Sequence, residues 1–467
     1  MKNMKKISLA LCSAVLLVSL ASCGDGSRTH KGSKKTLTYL VSVESTAYKT
    51  ILDQLISEFN ESIAEDGYEL VPEVPGGEYY QALGTKISAG STPDIFMMEL
   101  GYFNAYAPLM APLDDYLATS NVLKTSDLWE LNDNYKHEGK YKALIKDFSP
   151  DFMLIYNKTM LDRYNTANPD KQITISETEP LTWAEFYEIT STIQNSQSVD
   201  YGTSLGFEPV KHLHEWVQST GSSMYTSDYK QLNINDANVQ AAFNFFCALQ
   251  KDNASVEEFP NYASLNKSAT KKAPASYTSG SNTSEQELFK QQRTFSIFNG
   301  LYSFTAFDFY NVGFELGIAP SPVMSETSKP YSTTSAMVSH AISATSKHKN
   351  IAWKWLEYYQ TEGLQRFAQV AFNIPGNKTI AGSDAFLKIE GVNNAEKMTK
   401  MTNYFYNYVN AGHVYATEYN PYVDFAKVNT CFSSQFGKFY DKTNALNFLQ
   451  LLDEINKSVK GSISTGV

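Results

Sequence analysis

The feature that most constrains the fold is an alternation of strand-like and helix-like segments. Short apolar runs at 37–43, 68–74 and 95–100 are typical of buried strands. Between the first two runs, at 51–59, apolar residues recur every three or four positions, and 79–89 predicts a second helix. This strand–helix–strand order predicts an α/β fold with a mainly parallel sheet covered by helices.

The rest of the chain continues this order without an internal repeat. A length of 467 residues suggests two or three domains, or one protein with two lobes. A stretch rich in Ser, Thr, Lys and Ala, 264–284, predicts a surface loop. Further strands are predicted at 153–156, 295–298 and 314–319, and further helices at 183–193, 239–249, 351–359 and 446–455.

The first residues predict export. Lys2, Lys5 and Lys6 precede a short apolar run at 7–20. The run is too short to span a bilayer comfortably and follows positive charges, which is the pattern of a secretory signal.

The sequence Leu-Ala-Ser-Cys at 20–23 resembles the lipobox of bacterial lipoproteins, in which the cysteine is lipidated and becomes the new N-terminus. The resemblance implies a signal peptide at 1–22, lipidation such as palmitoylation of Cys23, and a flexible tether at 23–35. We therefore expect a protein anchored to the cell membrane by its lipid, on the extracytoplasmic side.

Composition narrows the partners. The chain has 39 Lys and Arg against 49 Asp and Glu, a balance that argues against nucleic acid and against general attraction to an anionic membrane surface. Its 30 Tyr are unusual, and tyrosine combines a flat apolar face with a polar tip. This supply of rings suits a wet, partly apolar binding surface.

Cysteine leaves one question open. After removal of the signal, Cys247 and Cys431 remain besides the anchor. Export permits a disulfide between them, and a buried free thiol is equally compatible with the sequence.

Six motifs follow one another in a recognisable order. They are Ala-Gly-Ser-Thr-Pro-Asp-Ile-Phe at 89–96, Tyr-Ala-Pro-Leu through Pro-Leu-Asp-Asp-Tyr-Leu at 106–117, Lys-Asp-Phe-Ser-Pro at 146–150, Leu-Ile-Tyr-Asn-Lys at 154–158, Pro-Leu-Thr-Trp-Ala-Glu-Phe at 180–186, and Phe-Ser-Ile-Phe-Asn-Gly-Leu-Tyr at 295–302. Together they resemble family 1 of the extracellular solute-binding proteins of ABC importers, the carbohydrate-binding group that includes maltose-binding protein.

The resemblance implies a two-lobed, periplasmic-binding-protein-like fold of type II with a ligand cleft between the lobes. Two segments resemble the family's hinge crossings, and they divide the chain. The first lobe is predicted at 36–147 and 319–362, and the second at 148–318 and 363–467.

Candidate site residues follow from the ends of the predicted strands, where loops of open α/β sheets converge on ligands. Tyr302 stands where the resembled family places a stacking aromatic residue, usually Trp. Carboxylates accept hydrogen bonds from sugar hydroxyls, and rings stack on the apolar faces of sugars. The resemblance also implies contact by Glu208 and Trp216, which lie in the segment that faces the solute in that family. The residues predicted to bind ligand are Glu44, Ser45, Glu99, Tyr102, Asp147, Asp151, Glu208, Trp216 and Tyr302.

Other motif residues predict structure rather than ligand contact. Asp94 is expected to bind backbone amides at its turn, and Thr182 with Glu185 has the spacing of a capping box. Asn157 is expected at a turn from strand to helix.

Catalytic motifs are weak. Gly-Thr-Ser-Leu-Gly at 202–206 matches the nucleophile elbow of serine hydrolases, but a polar stretch precedes it and Pro209 follows soon after. His212 and His214 lack a second cluster of metal ligands, and no phosphate-binding loop of the Gly-rich Lys-Ser/Thr type is present.

The predicted function is therefore a non-enzymatic, monomeric receptor that captures a carbohydrate and delivers it to the transmembrane subunits of an ABC permease, without metal or cofactor. A lipid-anchored carbohydrate-active hydrolase and a surface adhesin remain alternatives. The sequence does not distinguish the sugar.

Overall fold

The computed structural model describes residues 34–43, 45–204, 209–250, 284–334, 337–371, 373–391, 393–423, 425–439 and 446–464. The predicted signal segment, Cys23, Glu44, Glu208 and nearly all of the predicted loop at 264–284 lie outside the described residues. Within the described ranges, no helix is long and apolar enough to cross a membrane.

Strands and helices alternate along much of the chain. The strands are β1 (Lys35–Leu40), β2 (Tyr68–Glu73), β3 (Ile95–Glu99), β4 (Lys136–His137), β5 (Lys140–Tyr141), β6 (Ala143–Phe148), β7 (Met153–Asn157), β8 (Tyr201–Ser204), β9 (Thr294–Asn299), β10 (Leu316–Ala319), β11 (Ser332–Thr334), β12 (Val338–Ile342), β13 (Ile374–Pro375) and β14 (Val414–Ala416). The α-helices are α1 (Thr46–Ser62), α2 (Tyr79–Ser88), α3 (Leu100–Tyr106), α4 (Asp114–Thr119), α5 (Lys158–Ala167), α6 (Trp183–Gln197), α7 (Pro209–Ser219), α8 (Ala237–Gln250), α9 (Glu285–Lys290), α10 (Tyr302–Ala306), α11 (Lys349–Tyr358), α12 (Leu364–Ala371), α13 (Lys378–Ala381), α14 (Asp384–Leu387), α15 (Ala395–Asn410), α16 (Phe425–Phe439) and α17 (Phe448–Ser464).

The first sheet has six strands in the order β13-β6-β12-β3-β1-β2. β1 lies parallel to both β2 and β3, as the strand–helix alternation predicts. Helix α1 covers one face because its apolar residues, among them Leu52, Leu55 and Phe59, share one side of the helix and are buried. The Ser45 side chain caps this helix by accepting the N–H of Tyr48 at 3.1 Å.

The second sheet has four strands in the order β10-β7-β9-β8. Its core includes Trp183, and the ring centres of Phe245 and Phe298 lie 4.8 and 5.5 Å from the ring centre of Trp183. Cys247 and Cys431 are buried in the same core as free thiols. The open question about their pairing is thereby answered for this structure.

Strand direction is where the fold departs from the prediction. β12 is antiparallel to β3 and β6, and β7 is antiparallel to β9 and β10. β7 and β12 each begin where the chain has just crossed from one sheet to the other, so they run away from the crossing. The α/β class is confirmed, but the sheets are mixed rather than mainly parallel.

The first lobe, defined by the first sheet, extends beyond its predicted limit at 362. β13 pairs with β6 in that sheet, and the Phe367 ring of α12 packs on Tyr48 with centroids 4.7 Å apart. The chain thus returns to the first sheet once more, and residues 364–375 lie with it. The rest of the predicted division stays a prediction.

Two crossing segments are hydrogen-bonded to each other. The N–H of Asp151 donates to the carbonyl oxygen of Thr333 at 2.8 Å, and the Ser332 hydroxyl donates to the carbonyl oxygen of Asp151. β11 also pairs with β14. We call residues 149–152 together with β11 and β14 the hinge.

One apolar cluster includes residues of both sheets. Phe96 and Ile145 come from the first sheet, Ile155 and Ile297 from the second, and Phe405 from α15. The two lobes therefore share part of their core.

The predicted structural roles of motif residues are confirmed. Asp94 binds a backbone amide as expected, but the amide is that of Thr38 on β1, at 2.9 Å, so Asp94 joins its turn to a neighbouring strand. The Glu185 carboxylate accepts the backbone N–H of Thr182 at 2.7 Å, and the Thr182 hydroxyl accepts the backbone N–H of Glu185 at 3.3 Å. This pair of bonds is a capping box at the start of α6. Asn157 caps α5.

Candidate ligand-binding cleft

The carboxyl ends of β1, β2 and β3 form the wall of the cleft that belongs to the first lobe. A cavity of about 530 Å³ opens at the ends of β1 and β2, lined by the loop 73–78 and the first turns of α2. Glu73 at this edge forms an ion pair with Lys86 at 2.6 Å. A carboxylate and an ammonium group therefore stand together beside the cavity.

Two tyrosines of α2 hold the strand ends in place. The Tyr79 hydroxyl accepts the N–H of Met97 at 2.7 Å and lies 3.1 Å from the carbonyl oxygen of Leu40. The Tyr80 hydroxyl accepts the N–H of Glu99 at 2.7 Å. Burial raises the pKa of both phenols, so both stay protonated at any physiological pH.

Glu99 and Tyr102, both predicted site residues, lie side by side at the end of β3. Glu99 is half-buried, and its main chain is held by Tyr80. The Tyr102 ring stacks on the Tyr80 ring with centroids 3.6 Å apart and planes 18° apart. Tyr80 was not predicted to belong to the site, because its stacking on Tyr102 and its hydrogen bond to Glu99 are visible only in the folded structure.

Ser45 stands at the start of α1, where its hydroxyl oxygen already accepts a backbone N–H. The residue is exposed. A hydroxyl can donate while it accepts, so Ser45 can still offer its proton to a ligand.

Asp147 is buried beside Lys146, with 2.5 Å between carboxylate oxygen and ammonium nitrogen. Both side chains are nearly inaccessible, and the ammonium group lies 4.8 Å from the centre of the Tyr48 ring. Burial first and then the Lys146 charge lower the pKa of the neighbouring His340 to about 3. Asp147 therefore balances a buried cation, and a ligand at Asp147 would share the carboxylate with it.

Asp151 lies on the hinge, and the loop after β14 brings Tyr419 towards it. A methyl group in place of the Gly101 hydrogen would stand 3.4 Å from the Tyr419 ring and 3.2 Å from Phe425, so this loop contacts the start of α3. Burial, and then the charges of Asp151 and Glu99, raise the pKa of Tyr419. Tyr419 therefore contacts the start of α3 and lies near enough to Asp151 and Glu99 for both charges to act on it.

Tyr419 is a residue that sequence reasoning missed. No motif marks the loop that carries it, and its place depends on the pairing of β14 with β11. Only the topology brings it to the first lobe.

Tyr302 begins α10 on the side of the second lobe. It is 37% exposed, so it does not pack in the core of that lobe. Position 300 requires glycine, because a Cβ there would lie 2.4 Å from the carbonyl oxygen of Pro150. The N–H of Leu301 also donates to Ser149 at 2.8 Å. The glycine therefore lets the hinge approach, and Tyr302 follows with its ring open to solvent.

Three of the described site residues predicted from the sequence are buried, namely Asp147, Asp151 and Trp216, and Trp216 is the one that packs among aromatic rings. It is 2% exposed and packs against Trp183 and Phe245, each with ring centroids 5.2 Å away, and against His212. The apolar face of α7 turns Trp216 into the core of the second lobe, and its contact with a ligand stays a prediction. No group of three metal-binding side chains occurs among the described residues.

Glu215, next to Trp216, is a third residue that was not predicted to bind ligand. It is 1% exposed, its Oε2 lies 3.4 Å from the Thr333 hydroxyl on β11, and its Oε1 has no hydrogen-bond partner among the described residues. Burial is the main cause that raises its pKa well above the usual value for a glutamate. Glu215 therefore faces the hinge as a buried carboxylic acid.

Comparison with known proteins supplies two kinds of likeness. A family model described as bacterial extracellular solute-binding protein matches residues 44–366. No curated protein matches the chain in sequence.

Solved structures match over nearly the whole chain. An ABC substrate-binding protein of Listeria monocytogenes, solved with cycloalternan, is 17% identical with a TM-score of 0.69, covering 92% of this chain and 99% of its own. The sugar-binding protein MalE of Xanthomonas citri is 14% identical with a TM-score of 0.70 (92% and 98%). A solute-binding protein of Thermotoga lettingae, bound to α-D-tagatose, is 18% identical with a TM-score of 0.64 (92% and 100%). At such identities the likeness shows a common two-lobed fold.

Proposed function

The chain belongs to the bacterial extracellular solute-binding protein family, and on that basis we propose that it is a lipid-anchored receptor that captures a carbohydrate between its lobes and delivers it to an ABC permease. Family membership carries the first part of this proposal. The anchor, the sugar and the permease go further and need their own support.

The grouping of Glu99, Asp151 and Tyr419 is the observation that carries the proposal of a carbohydrate ligand. These side chains come from three separate parts of the chain: Tyr419 packs on Gly101, two residues after Glu99, and the charges of Asp151 and Glu99 both act on it. They supply acceptors and a phenol for the hydroxyl groups of a sugar. The exposed Tyr302 ring and the stacked Tyr102 add apolar faces suited to its C–H surfaces. Solved relatives of the same fold hold cycloalternan and tagatose, which agrees with this ligand class.

The hinge gives a physical route from binding to delivery. Asp151 and its bonded partners Ser332 and Thr333 lie on the segments that must turn when the lobes close. A sugar shifts the equilibrium to the closed form only through contacts that are better in that form. A side chain that both touches the sugar and lies on the hinge makes such a difference. We propose that the permease recognises this closed form.

The proposed anchor rests on the sequence of 20–23, which resembles a lipobox. A lipid on Cys23 would keep the receptor beside its permease. Mass spectrometry of the protein purified from membranes tests this: we expect a diacylglyceryl-modified Cys23 and loss of membrane association in Cys23→Ala. Recovery of a mature protein that begins elsewhere and carries no lipid would contradict it.

The experiment that tests the ligand is a thermal-shift screen of the purified protein against mono- and oligosaccharides, followed by calorimetric titration of every hit. A ligand that binds only the folded state raises the free energy of unfolding, by about 2.7 kcal/mol at a ligand concentration a hundredfold above Kd, and the apparent melting temperature rises with it. We expect at least one sugar to bind with one-to-one stoichiometry in the cleft.

Chromatography of the same mixtures after long incubation separates the receptor from a hydrolase. Unchanged saccharides agree with the proposal, whereas turnover that is lost in Glu99→Gln or Asp151→Asn would replace it with an enzymatic function. Binding of amino acids, peptides or metal ions but no sugar would overturn the proposed ligand class.

A further inference from the structure

A second cavity lies beside the second lobe, away from the strand ends that form the cleft. Its volume is about 1330 Å³, and it runs between β10, the edge strand of the second sheet, and the helix α15. Its lining follows α15 from Asn394 to Ala411, a length of roughly 25 Å at about 1.5 Å per residue. We call this cavity the β10–α15 groove. It exceeds the roughly 300–1,000 Å³ of a pocket for one small molecule, so it fits an elongated ligand.

The inner surface of the groove is apolar and aromatic. Leu316 and Ile318 line it from β10, and Met401 lines it from α15. Tyr404 and Tyr408 follow one turn apart on the same face of α15, with ring planes 15° from parallel. Tyr408 is only 5% exposed and Tyr404 is half-buried, so Tyr404 is the ring of the pair that offers an apolar face to a linear ligand.

The rim is polar and close to electrically neutral. It carries the carboxylates of Glu177, Glu315 and Glu396 and the ammonium groups of Lys397 and Lys400. Opposite charges at similar number favour an uncharged ligand with many hydroxyl groups over an anion or a cation. Asparagine side chains on the same face of α15 add amide donors and acceptors.

The two walls are tied together in this structure. The Tyr404 hydroxyl donates to the carbonyl oxygen of Glu177 at 2.8 Å, and the Lys397 ammonium group lies 3.4 Å from the carbonyl oxygens of Val312 and Phe314. A groove that exists before binding does not have to be ordered by its ligand, which favours affinity.

We propose that the β10–α15 groove is a second saccharide site, which binds a linear uncharged oligosaccharide independently of the cleft. An extended peptide is the less suitable occupant. Leu316 and Ile318 are each only 2% exposed, so the main chain of β10 offers little access for the addition of another strand. The aromatic inner surface and hydroxyl-binding rim need no such access.

The site also adjoins the hinge. β10 leads directly into the segment that ends in β11, and α15 leads into β14, which pairs with β11. A saccharide in the groove would touch β10 and α15, the two elements that lead into the hinge, and would thereby bias the angle between the lobes. If the groove has a different width in the open and closed arrangements of the lobes, binding in the groove changes the affinity of the cleft, and binding in the cleft changes the affinity of the groove by the same factor.

The test is calorimetric titration of the purified protein with maltohexaose and with cellohexaose, up to 5 mM, in four variants. Asn407→Trp places a bulky ring on the exposed rim of the groove, and Tyr404→Ala removes a ring from its wall. Asn410→Trp is the matched control, because Asn410 is exposed on the same helix but does not line the groove. Tyr302→Ala weakens the cleft instead.

We expect a second class of sites for at least one hexasaccharide, weakened at least tenfold by Asn407→Trp and Tyr404→Ala but by neither Asn410→Trp nor Tyr302→Ala. The absence of any class of sites that both groove substitutions weaken would overturn the proposal, whether the titrations show one class or two. Failure of the cleft function looks different, since it removes the class that responds to Tyr302→Ala and leaves the groove class in place.

Discussion

Replacement of Tyr302 by alanine tests directly whether the cleft binds sugar by stacking. The residue leaves the second sheet just after Gly300 and keeps 37% of its surface exposed. If its ring forms part of the cleft wall, Tyr302→Ala lowers sugar affinity and leaves the fold intact.

The magnitude follows from the exposed area. A tyrosine buries on the order of 200 Å² when fully covered, so the exposed 37% corresponds to roughly 75 Å². A sugar that covers half of this area contributes about 1 kcal/mol at about 25 cal/mol per Å². Stacking adds about 1 kcal/mol more. The sum of about 2 kcal/mol corresponds to about a thirtyfold weaker Kd.

The assay is calorimetric titration with the best sugar of the screen, beside a thermal melt of each variant. Tyr302→Trp should retain the affinity, because a larger ring offers the same kind of face. Tyr116→Ala is a control for the loss of a partly exposed tyrosine on the first lobe, where its ring stacks on Trp353. Unchanged affinity in Tyr302→Ala together with a large fall in melting temperature would refute the stacking role.

Three further predictions concern stability. Trp216→Ala should cost about 3–5 kcal/mol of unfolding free energy, measured by urea denaturation, because it removes a buried ring from a packed core; a stable variant with lost sugar binding would show instead that Trp216 reaches the ligand. Asp147→Asn should cost about 3–5 kcal/mol, because Lys146 is left as a buried cation without its counter-charge; an unchanged denaturation midpoint would contradict the buried pair. Burial raises the pKa of Glu215 in the folded protein above its value in the unfolded chain. The stability that this group contributes is therefore complete below about pH 4.5 and decreases as the pH rises towards the folded pKa, by up to about 1.4 kcal/mol per pH unit. Glu215→Gln should remove this fall in denaturation midpoints recorded across pH, and parallel pH profiles of the two proteins would contradict it.

Local structure was predictable wherever a short stretch of sequence determines it. The apolar spacing at 51–59 specifies the buried face of α1, and the pair Thr182 and Glu185 specifies the start of α6. Both depend only on neighbours a few positions away, so the sequence contains all the necessary information. Strand direction did not follow, because β7 and β12 are oriented by where the chain crosses between the sheets.

The site was predictable only in part for the same reason. Glu99, Tyr102 and Tyr302 follow strands or motifs that the sequence reveals, and the structure places them at or near the ends of those strands. Tyr419 reaches Gly101, two residues after Glu99, through the pairing of β14, and no local pattern in the sequence indicates this contact between distant parts of the chain. Trp216 is the opposite case: packing in the core is sufficient to explain a large ring at this position on α7.

The apolar cluster that includes Phe96, Ile155 and Phe405 has a consequence for how the protein unfolds. Because its side chains come from both sheets, separation of the lobes exposes apolar surface on each of them to water. Neither lobe can lose its structure without removing packing partners from the other. The two halves should therefore denature in one cooperative transition, and a fragment that contains only one of them should be prone to aggregation.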